Sequence, residues 1–495
     1  MITLSRTELR DRIYACWIGK NIGGTLGTPY EGTRELLDIH GFASEAGEPL
    51  PNDDLDLQLA WLRAVNDLGP ENINSKTLSE YWISFVNPNW NEYGVGKSNL
   101  RQGIPAPMSG EFNNKLWRDS NGAWIRTEVW ACLYPAMPDK AVKYAFEDAS
   151  VDHGFGEGTY AAIFIAAMQS AAFVVHDMRK LLDIGLSKLP EDCRVVRSVR
   201  LVMDCYENGV SWQECRERIV EDSADLGWFQ APANVAYVVL GLLYGEGDFK
   251  QSMIYAVNCG DDTDCTGATI GALMGIMGGM DFIPKDWMAY IGEGIKSICL
   301  TNGHGRYPLN CTELTDCIFN LLPVTLRPNH KQLFAQLDRP DQPVGGVMIA
   351  DETIVPTPDL TAFYGNAFAL SLARRKPYSY TIESVLGEVL VSFDEKPVIQ
   401  PNGTLTGTVR MHSSEFLPEQ KHYQMRYLCP EGWAVEGPRN LYCPPPMYMD
   451  REGGHCTVPF SIHAGESVLA SNTIVLQMVC PGRPTQVLVP IQIYG

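Results

Sequence analysis

The chain has 495 residues, 45% hydrophobic and 20% charged, which is enough apolar material to bury a large core in more than one domain. Its formal net charge of −20 excludes a sequence-independent binder of nucleic-acid backbones, since that task needs a cationic surface. Fourteen cysteines are scattered with no CxxC pair, and the opening MITLSRTELRDRIYACWIGK carries charges from Arg6 onward without an apolar core; both point to a reduced, cytoplasmic protein with no secretory leader.

Residues 1–323 read as mostly helical. Apolar periodicity predicts helices over 11–19, 54–68, 139–150, 158–175, 233–245 and 266–280, and strand-like alternation is scarce. Gly and Pro clusters at GGTLGTPYEG, NPNWNEYGVG and QGIPAPMSG read as breaks between them. The uncharged run 158–175 is long enough to raise a membrane span. It holds Gln169 and Ser170, lacks a cationic flank, and is better read as a helix at the centre of a large helical domain, so no membrane partner is expected.

Composition shifts after residue 323. Residues 324–360 are Pro-rich and lack a helical period, as a linker or crossover does. Residues 361–495 carry roughly seven short β-branched and aromatic runs between turn signals, among them YSYTIESVLGEVLVSF, GTLTGTVRMHS and TQVLVPIQIYG. They predict an antiparallel β-sandwich of immunoglobulin type. The expected architecture is an all-α domain over 1–323, a linker and a β-sandwich.

Two acidic loops stand out. PNDDLDLQLAWLRAV sets Asn52, Asp53, Asp54 and Asp56 at the opening of a helix. CGDDTDCTGATIGALMG sets Asp261, Asp262 and Asp264 at the opening of another, with no further charge until Asp281. One Asp suffices as a helix cap; three in each loop repel one another unless a cation relieves them. Two facing loops of this kind supply carboxylate and amide oxygens, the ligands of Mg²⁺, Mn²⁺ or Ca²⁺ rather than zinc, in sufficient number for two ions. The calcium loop with Gly and a terminal Glu is absent, as are HExxH, GxSxG, GxGxxG and a complete Walker A loop. Gly267, Gly271, Gly275 and Gly279 recur every four residues and form one row on the second helix, which calls for close packing of a neighbouring helix.

Taken alone, Glu31 in GTPYEGT is an ordinary loop carboxylate, and Asp152-His153 in VDHGFGEG reads equally as a turn with a helix cap or as a ligand contact. Trp117, Trp124 and Phe155 could stack on a base or sugar, although packing is the commoner use of any one of them.

In their order, RDRIYACWIGKNIGGTLGTPYEG, NDD, SNGAWIR, a His before an Ala-rich helix, and GDDTDCTGATIGAL resemble the motifs of the ADP-ribosylglycohydrolase superfamily over about residues 8–300. The resemblance implies an all-α bundle with a dinuclear magnesium site in a central cleft. It implies that Asn52, Asp53 and Asp54 match the first metal motif, and Asp262, Asp264 and Cys265 the second. Glu31 matches the glutamate implicated in catalysis. Asn121 and Gly122 match the loop beside the substrate, and Asp152 and His153 the segment before the Ala-rich helix. Two residues depart from the pattern. Asn52 replaces a Thr, and Cys265 replaces a hydroxyl, so either Thr263 or Thr266 compensates or one of the two ions is held more weakly.

The implied activity is metal-dependent hydrolysis of an N- or O-glycosidic bond at C1 of a ribofuranosyl group, as in ADP-ribosyl substrates. A furanosidase acting on a carbohydrate or nucleoside-like substrate is one alternative, favoured by the acidic balance and the appended sandwich. A non-catalytic, crystallin-like structural or binding protein is the other.

Overall fold

The structure, a computed structural model, describes residues 4–47, 49–300, 307–326, 348–350, 353–355, 363, 372–373, 375–413, 421–444 and 455–495. The chain divides into two compact units, Met1–Lys97 with Ser109–Arg374, and Ser98–Met108 with Arg375–Gly495.

All sixteen α-helices among the described residues begin between Arg6 and Cys311, and the last ends at Thr325. The first, Arg6–Gly27, starts at a capping box in which Ser5 and Glu8 exchange side-chain and backbone hydrogen bonds. It runs far beyond the expected 11–19 and takes in the GGTLG stretch that reads as a break. The reason is tertiary. Glycine is costly in an isolated helix, but here it faces the backbone of the helix Thr263–Gly278. A Cβ on Gly19 would stand 2.0 Å from the Gly271 carbonyl oxygen, and one on Gly27 would stand 2.2 Å from that of Thr263. From the other helix, a Cβ on Gly275 would stand 2.3 Å from the Ala15 carbonyl oxygen. The two helices therefore run antiparallel, backbone against backbone. The predicted glycine row does meet a neighbour at Gly267, Gly271 and Gly275, whereas Gly279 ends the helix as its C-cap.

NPNWNEYGVG is corrected in the same way: NEYGVG lies inside the helix Asn91–Arg101. A Cβ on Gly96 would sit 3.1 Å from Cβ of Asp152, so this glycine marks another close approach rather than a turn. The Ala-rich segment forms the helix Glu157–Ala172, almost wholly buried, as does the apolar Ala231–Tyr244. Among the described residues no single helix is long and apolar enough to cross a membrane.

The second unit holds two antiparallel sheets. One has five strands in the order Ser379–Ser384, Gly387–Phe393, Thr404–Ser413, His455–His463, Ala434–Glu436. The other has four, Gln486–Tyr494, Ser471–Val479, Lys421–Leu428, Asn440–Cys443. Burial alternates along Lys421–Leu428 and Ser471–Val479, the sign of one face turned to a core. Tyr380 of the first sheet donates to the Pro490 carbonyl of the second at 2.6 Å. The two short strands Ala434–Glu436 and Asn440–Cys443 are additional to the runs read from the sequence, because they sit among Gly and Pro residues and are too brief to display a period. Within the expected linker, Thr353–Val355 pairs with Leu4–Ser5 on one side and with Met348–Ala350 on the other, making a small antiparallel sheet. Most of the remainder of 324–360 lies outside the described residues.

Candidate metal centre

The first acidic loop is organised by its amide. Asn52 caps the helix Asp53–Leu68, its Oδ1 accepting from the Asp54 backbone N–H at 2.7 Å. A Cβ on Gly24 would stand 2.3 Å from Nδ2 of Asn52, so the first helix makes room for this cap. The same Nδ2 donates to Oδ2 of Asp264 at 3.4 Å. Tyr93 donates its hydroxyl to Oδ2 of Asp53 at 3.0 Å. Asp56 does not join the cluster. Its Oδ2 accepts from Ser297 Oγ at 2.7 Å and from the backbone N–H of Ile298 and Cys299 at 2.5 and 2.7 Å, tying down that loop.

The second loop is bent by Gly260 and Asp261, with φ of +78° and +60°. A Cβ on Gly260 would collide with the Thr33 carbonyl oxygen at 2.4 Å. That crowding comes from a two-bond bridge: Gly32 N–H donates to Asp261 O at 2.9 Å, and Asp261 N–H to Thr33 O at 3.0 Å. The bridge holds Glu31 beside the second loop. Asp262 takes its place from Asn234, whose Oδ1 accepts its backbone N–H at 3.1 Å.

The two loops converge. Ligand atoms of Asp54, Asp264 and Cys265 lie within 4.8 Å of one another, and so do those of Glu31, Asp262 and Asp264. Asp264 belongs to both groups. Oδ2 of Asp54, Oδ1 of Asp262 and Oδ1 of Asp264 are buried with no hydrogen-bond donor. Buried carboxylate oxygens in that state are costly, and a hard cation is the partner that satisfies them. The residues present therefore fit a divalent ion. Crowding is visible in the acidities. Burial, then Asp264 and Asp53, raise Glu31 to about 8, although it remains exposed at the mouth of the cluster. Burial, then Asp264 and Asp56, raise Asp53 to about 7. Asp54 and Asp262 are pushed well above the usual carboxylate range by burial first; at Asp54 the Lys20 charge opposes the rise, and neighbouring carboxylates add to it in both.

Cys265 donates its thiol to Oδ1 of Asp54 at 3.4 Å. Burial and the nearby Asp262 and Asp54 push its pKa well up, so sulfur stays protonated and acts as a donor. Thr263 gives its hydroxyl to the Gly27 carbonyl at 2.8 Å, and Thr266 gives its own to the Thr263 carbonyl at 3.1 Å.

A buried cation lies behind Asp54. Lys20 contacts Glu128 at 3.1 Å and donates to the Ile125 carbonyl at 2.8 Å. Burial opposes its charge, but Glu128 and Asp54 outweigh that and leave its pKa raised. Gln58 links the pair to the loop, donating to the Asp54 carbonyl at 2.8 Å and to Glu128 at 2.9 Å. Lys20, Gln58, Tyr93 and Asn234 were missed in the sequence because each lies in a helix where it reads as one more polar residue.

The residues expected to contact substrate separate into two places. Asn121 is fully buried and donates from Nδ2 to Oδ2 of Asp262 at 2.7 Å, while its Oδ1 accepts from Trp124 Nε1 at 3.0 Å. It braces an acid rather than facing solvent. Gly122 and Asp152 both accept from Arg126, and His153 lies against Asp152. Arg126 donates to the Gly122 carbonyl and, at 2.7 Å, to Oδ1 of Asp152. His153 is fully buried, with Nε2 3.1 Å from Ser120 Oγ and Nδ1 3.0 Å from Asp152. Trp124 is fully buried too. The half-buried Trp228 lies beside the residue that follows Glu31: a Cβ on Gly32 would meet its ring at 3.8 Å.

Comparison with known proteins adds the lineage. The ADP-ribosylglycohydrolase family profile matches residues 5–309. An uncharacterised protein of Archaeoglobus fulgidus is 25% identical over 308 residues, covering 58% of this chain and 92% of its own length. A solved structure described as an ADP-ribosylglycohydrolase-related protein complex aligns at 19% identity and a TM-score of 0.42, covering 64% of this chain and 99% of that one. A FixG-related protein from Vibrio parahaemolyticus aligns at 13% identity and a TM-score of 0.18, covering 22% of this chain and 97% of its own.

Proposed function

The chain belongs to the ADP-ribosylglycohydrolase family, and on that premise we propose that it is a divalent-metal-dependent glycoside hydrolase cleaving an N- or O-glycosidic bond at C1 of a ribofuranosyl group. The observation that carries this reading is the meeting of Glu31, Asp54, Asp262 and Asp264 around buried carboxylate oxygens that lack donors. Asn52, Asp53, Asp54, Asp262 and Asp264 would hold the cation, two ions in the fuller arrangement, with the protonated Cys265 as the weakest member. Mg²⁺ is the expected ion, with Mn²⁺ or Ca²⁺ as alternatives. Bound there, it supplies Lewis-acid polarisation and a chelating platform for the cis-diol of a ribose.

The chain's own groups do the rest. Glu31 stands exposed at the mouth of the cluster, held there by the bridge between Thr33 and Asp261. Its raised pKa suits a group that delivers a proton to a departing oxygen or nitrogen, or takes one from attacking water. Asn121 keeps Asp262 turned into the cluster. We assign Gly122, Asp152 and His153 to the support of that loop. The scattered cysteines favour a reducing, cytoplasmic setting.

One observation favours the furanosidase form of this reading. Three described cations around the site are already committed: Lys20 to Glu128, Arg34 to Asp261 at 3.4 Å, and Arg126 to Asp148 and Asp152. That suits a substrate with a neutral aglycone better than one with a diphosphate. The test is a panel of ADP-ribosylated peptides, nucleosides and aryl ribofuranosides, assayed with divalent ion and with chelator. Chelator-sensitive release from any of them supports the hydrolase. Equal inactivity throughout, with no metal uptake, overturns it in favour of a structural or binding protein.

A further inference from the structure

The two halves of the candidate centre are joined directly by weak bonds only. Asn52 to Asp264 and Cys265 to Asp54 each span 3.4 Å. Both halves, however, are reached from one buried guanidinium.

Arg126 is fully buried in a short turn, Trp124–Arg126. Its Nε donates to Oδ1 of Asp148 at 2.9 Å, and Nη2 and Nη1 grip the two oxygens of Asp152 at 2.7 and 3.2 Å. Nη1 also donates to the Gly122 carbonyl. That last bond fixes the Gly122–Ala123 peptide, one residue on from Asn121, whose amide holds Asp262 at 2.7 Å. The face of the same guanidinium lies 5.0 Å from the ring centre of Trp82. Trp82 packs in turn on Tyr93 and Trp61, with ring centres 5.1 and 5.4 Å apart. Tyr93 donates to Asp53 at 3.0 Å, and Trp61 belongs to the helix Asp53–Leu68. The two branches also touch each other. A Cβ on Gly122 would stand 2.1 Å from Oε1 of Glu92 and 2.8 Å from Cε1 of Tyr93.

We propose that Arg126 is a positioning residue for the metal centre, setting Asn121 against Asp262 through its in-plane donors and Tyr93 against Asp53 through its face. Only arginine offers both at once: a planar fork for carboxylate and carbonyl, and a flat cation for an indole. Lysine keeps the charge and loses the fork. The inference rests on the metal reading of the site, and its test separates the two.

The experiment is titration of metal-stripped protein with Mn²⁺, followed by electron paramagnetic resonance and calorimetry, for wild type, Arg126→Lys, Asn121→Ala, Tyr93→Phe and the pairs with Arg126→Lys. Supporting groups behind metal ligands typically change affinity by about 10–100-fold, and that is the loss expected for Arg126→Lys. Asn121→Ala and Tyr93→Phe should each cost less in the Arg126→Lys background than alone, because the bond they remove is already misplaced. Unchanged Mn²⁺ affinity in folded Arg126→Lys, or full additivity with both partners, overturns the inference while leaving the metal reading intact. Wild-type protein that takes up no Mn²⁺ overturns both. If Arg126→Lys does not fold, Asp148→Asn replaces it, since it keeps the shape and weakens the grip on Nε. Lowered Mn²⁺ affinity supports the inference there, and retained affinity overturns it.

Discussion

A Cβ placed on Gly23 would stand 2.1 Å from the carbonyl oxygen of Gly267, a separation no side chain can accept. Two contacts further along the same helix bear on the site: Gly24 makes room for Asn52, and Gly27 lies over Thr263. The backbone approach of the first helix therefore seats both acidic loops.

Alanine at Gly23 or Gly271 should force the helices apart and lower stability by about 1–3 kcal/mol, the usual cost of overpacking a core. Urea denaturation measures it, with Gly41→Ala as a control, since a Cβ there meets nothing within 4 Å. An unshifted midpoint for Gly23→Ala would mean the helices are not held by this contact.

Asp54→Ala and Asp262→Ala each remove a buried carboxylate that closes one of the two ligand groups. Both variants are expected to lose Mg²⁺-dependent turnover and ion binding together. Calorimetric titration beside the activity assay checks this, and turnover with retained ion affinity in both would sink the assignment of these residues.

Glu31→Gln keeps the shape of the side chain and removes its proton transfer. General acid–base groups contribute roughly 10²–10⁴-fold, so kcat should fall by about that factor while KM and ion affinity change little. A variant that loses ion binding first would make Glu31 a ligand instead.

Cys265→Thr restores a hydroxyl beside Asp54. Oxygen suits a hard ion better than a protonated thiol, so Mg²⁺ affinity should rise, and preference for the softer Cd²⁺ should fall. Paired titrations with Mg²⁺ and Cd²⁺ read the change, and identical affinities for both ions would place Cys265 outside the coordination sphere.

Stability of the chelated protein should fall as pH rises. Folding lifts Asp53 to about 7 and Glu31 to about 8, above the unfolded carboxylate value of about 4. The native state therefore binds more protons than the unfolded chain between those values. The benefit is complete below the unfolded pKa and is lost as pH passes through the folded ones. Melting temperature with chelator should drop from about pH 5 to about pH 8, and added Mn²⁺ should raise it most at the alkaline end. Asp53→Asn should flatten the slope. A chelated protein that melts at a constant or rising temperature over this window would contradict the crowding of carboxylates.

Some of this was legible in one dimension. Charge gathered before a bland helix is a local signal, so Asn52–Asp54 and Asp262–Asp264 could be picked out and matched to cation chemistry from spacing alone. The row Gly267, Gly271, Gly275 announced a close neighbour for the same reason. The β-texture after residue 361 announced sheets, although Ala434–Glu436 was too short to carry a period.

What only the tertiary structure decided is which distant groups those signals meet. A glycine row declares that something packs against it and holds no address for the partner, so GGTLG reads as a break until Gly23 and Gly27 lie on Gly267 and Thr263. Asn121 and Asp262 are 141 residues apart, and no periodicity links them. Asp152 lies against Arg126 and His153 against Asp152, all three buried, and nothing in VDHGFGEG names either partner. Residue type and spacing determine the chemistry a segment can offer; the folded backbone determines which of those offers face one another, because contact distance is not a property of the sequence.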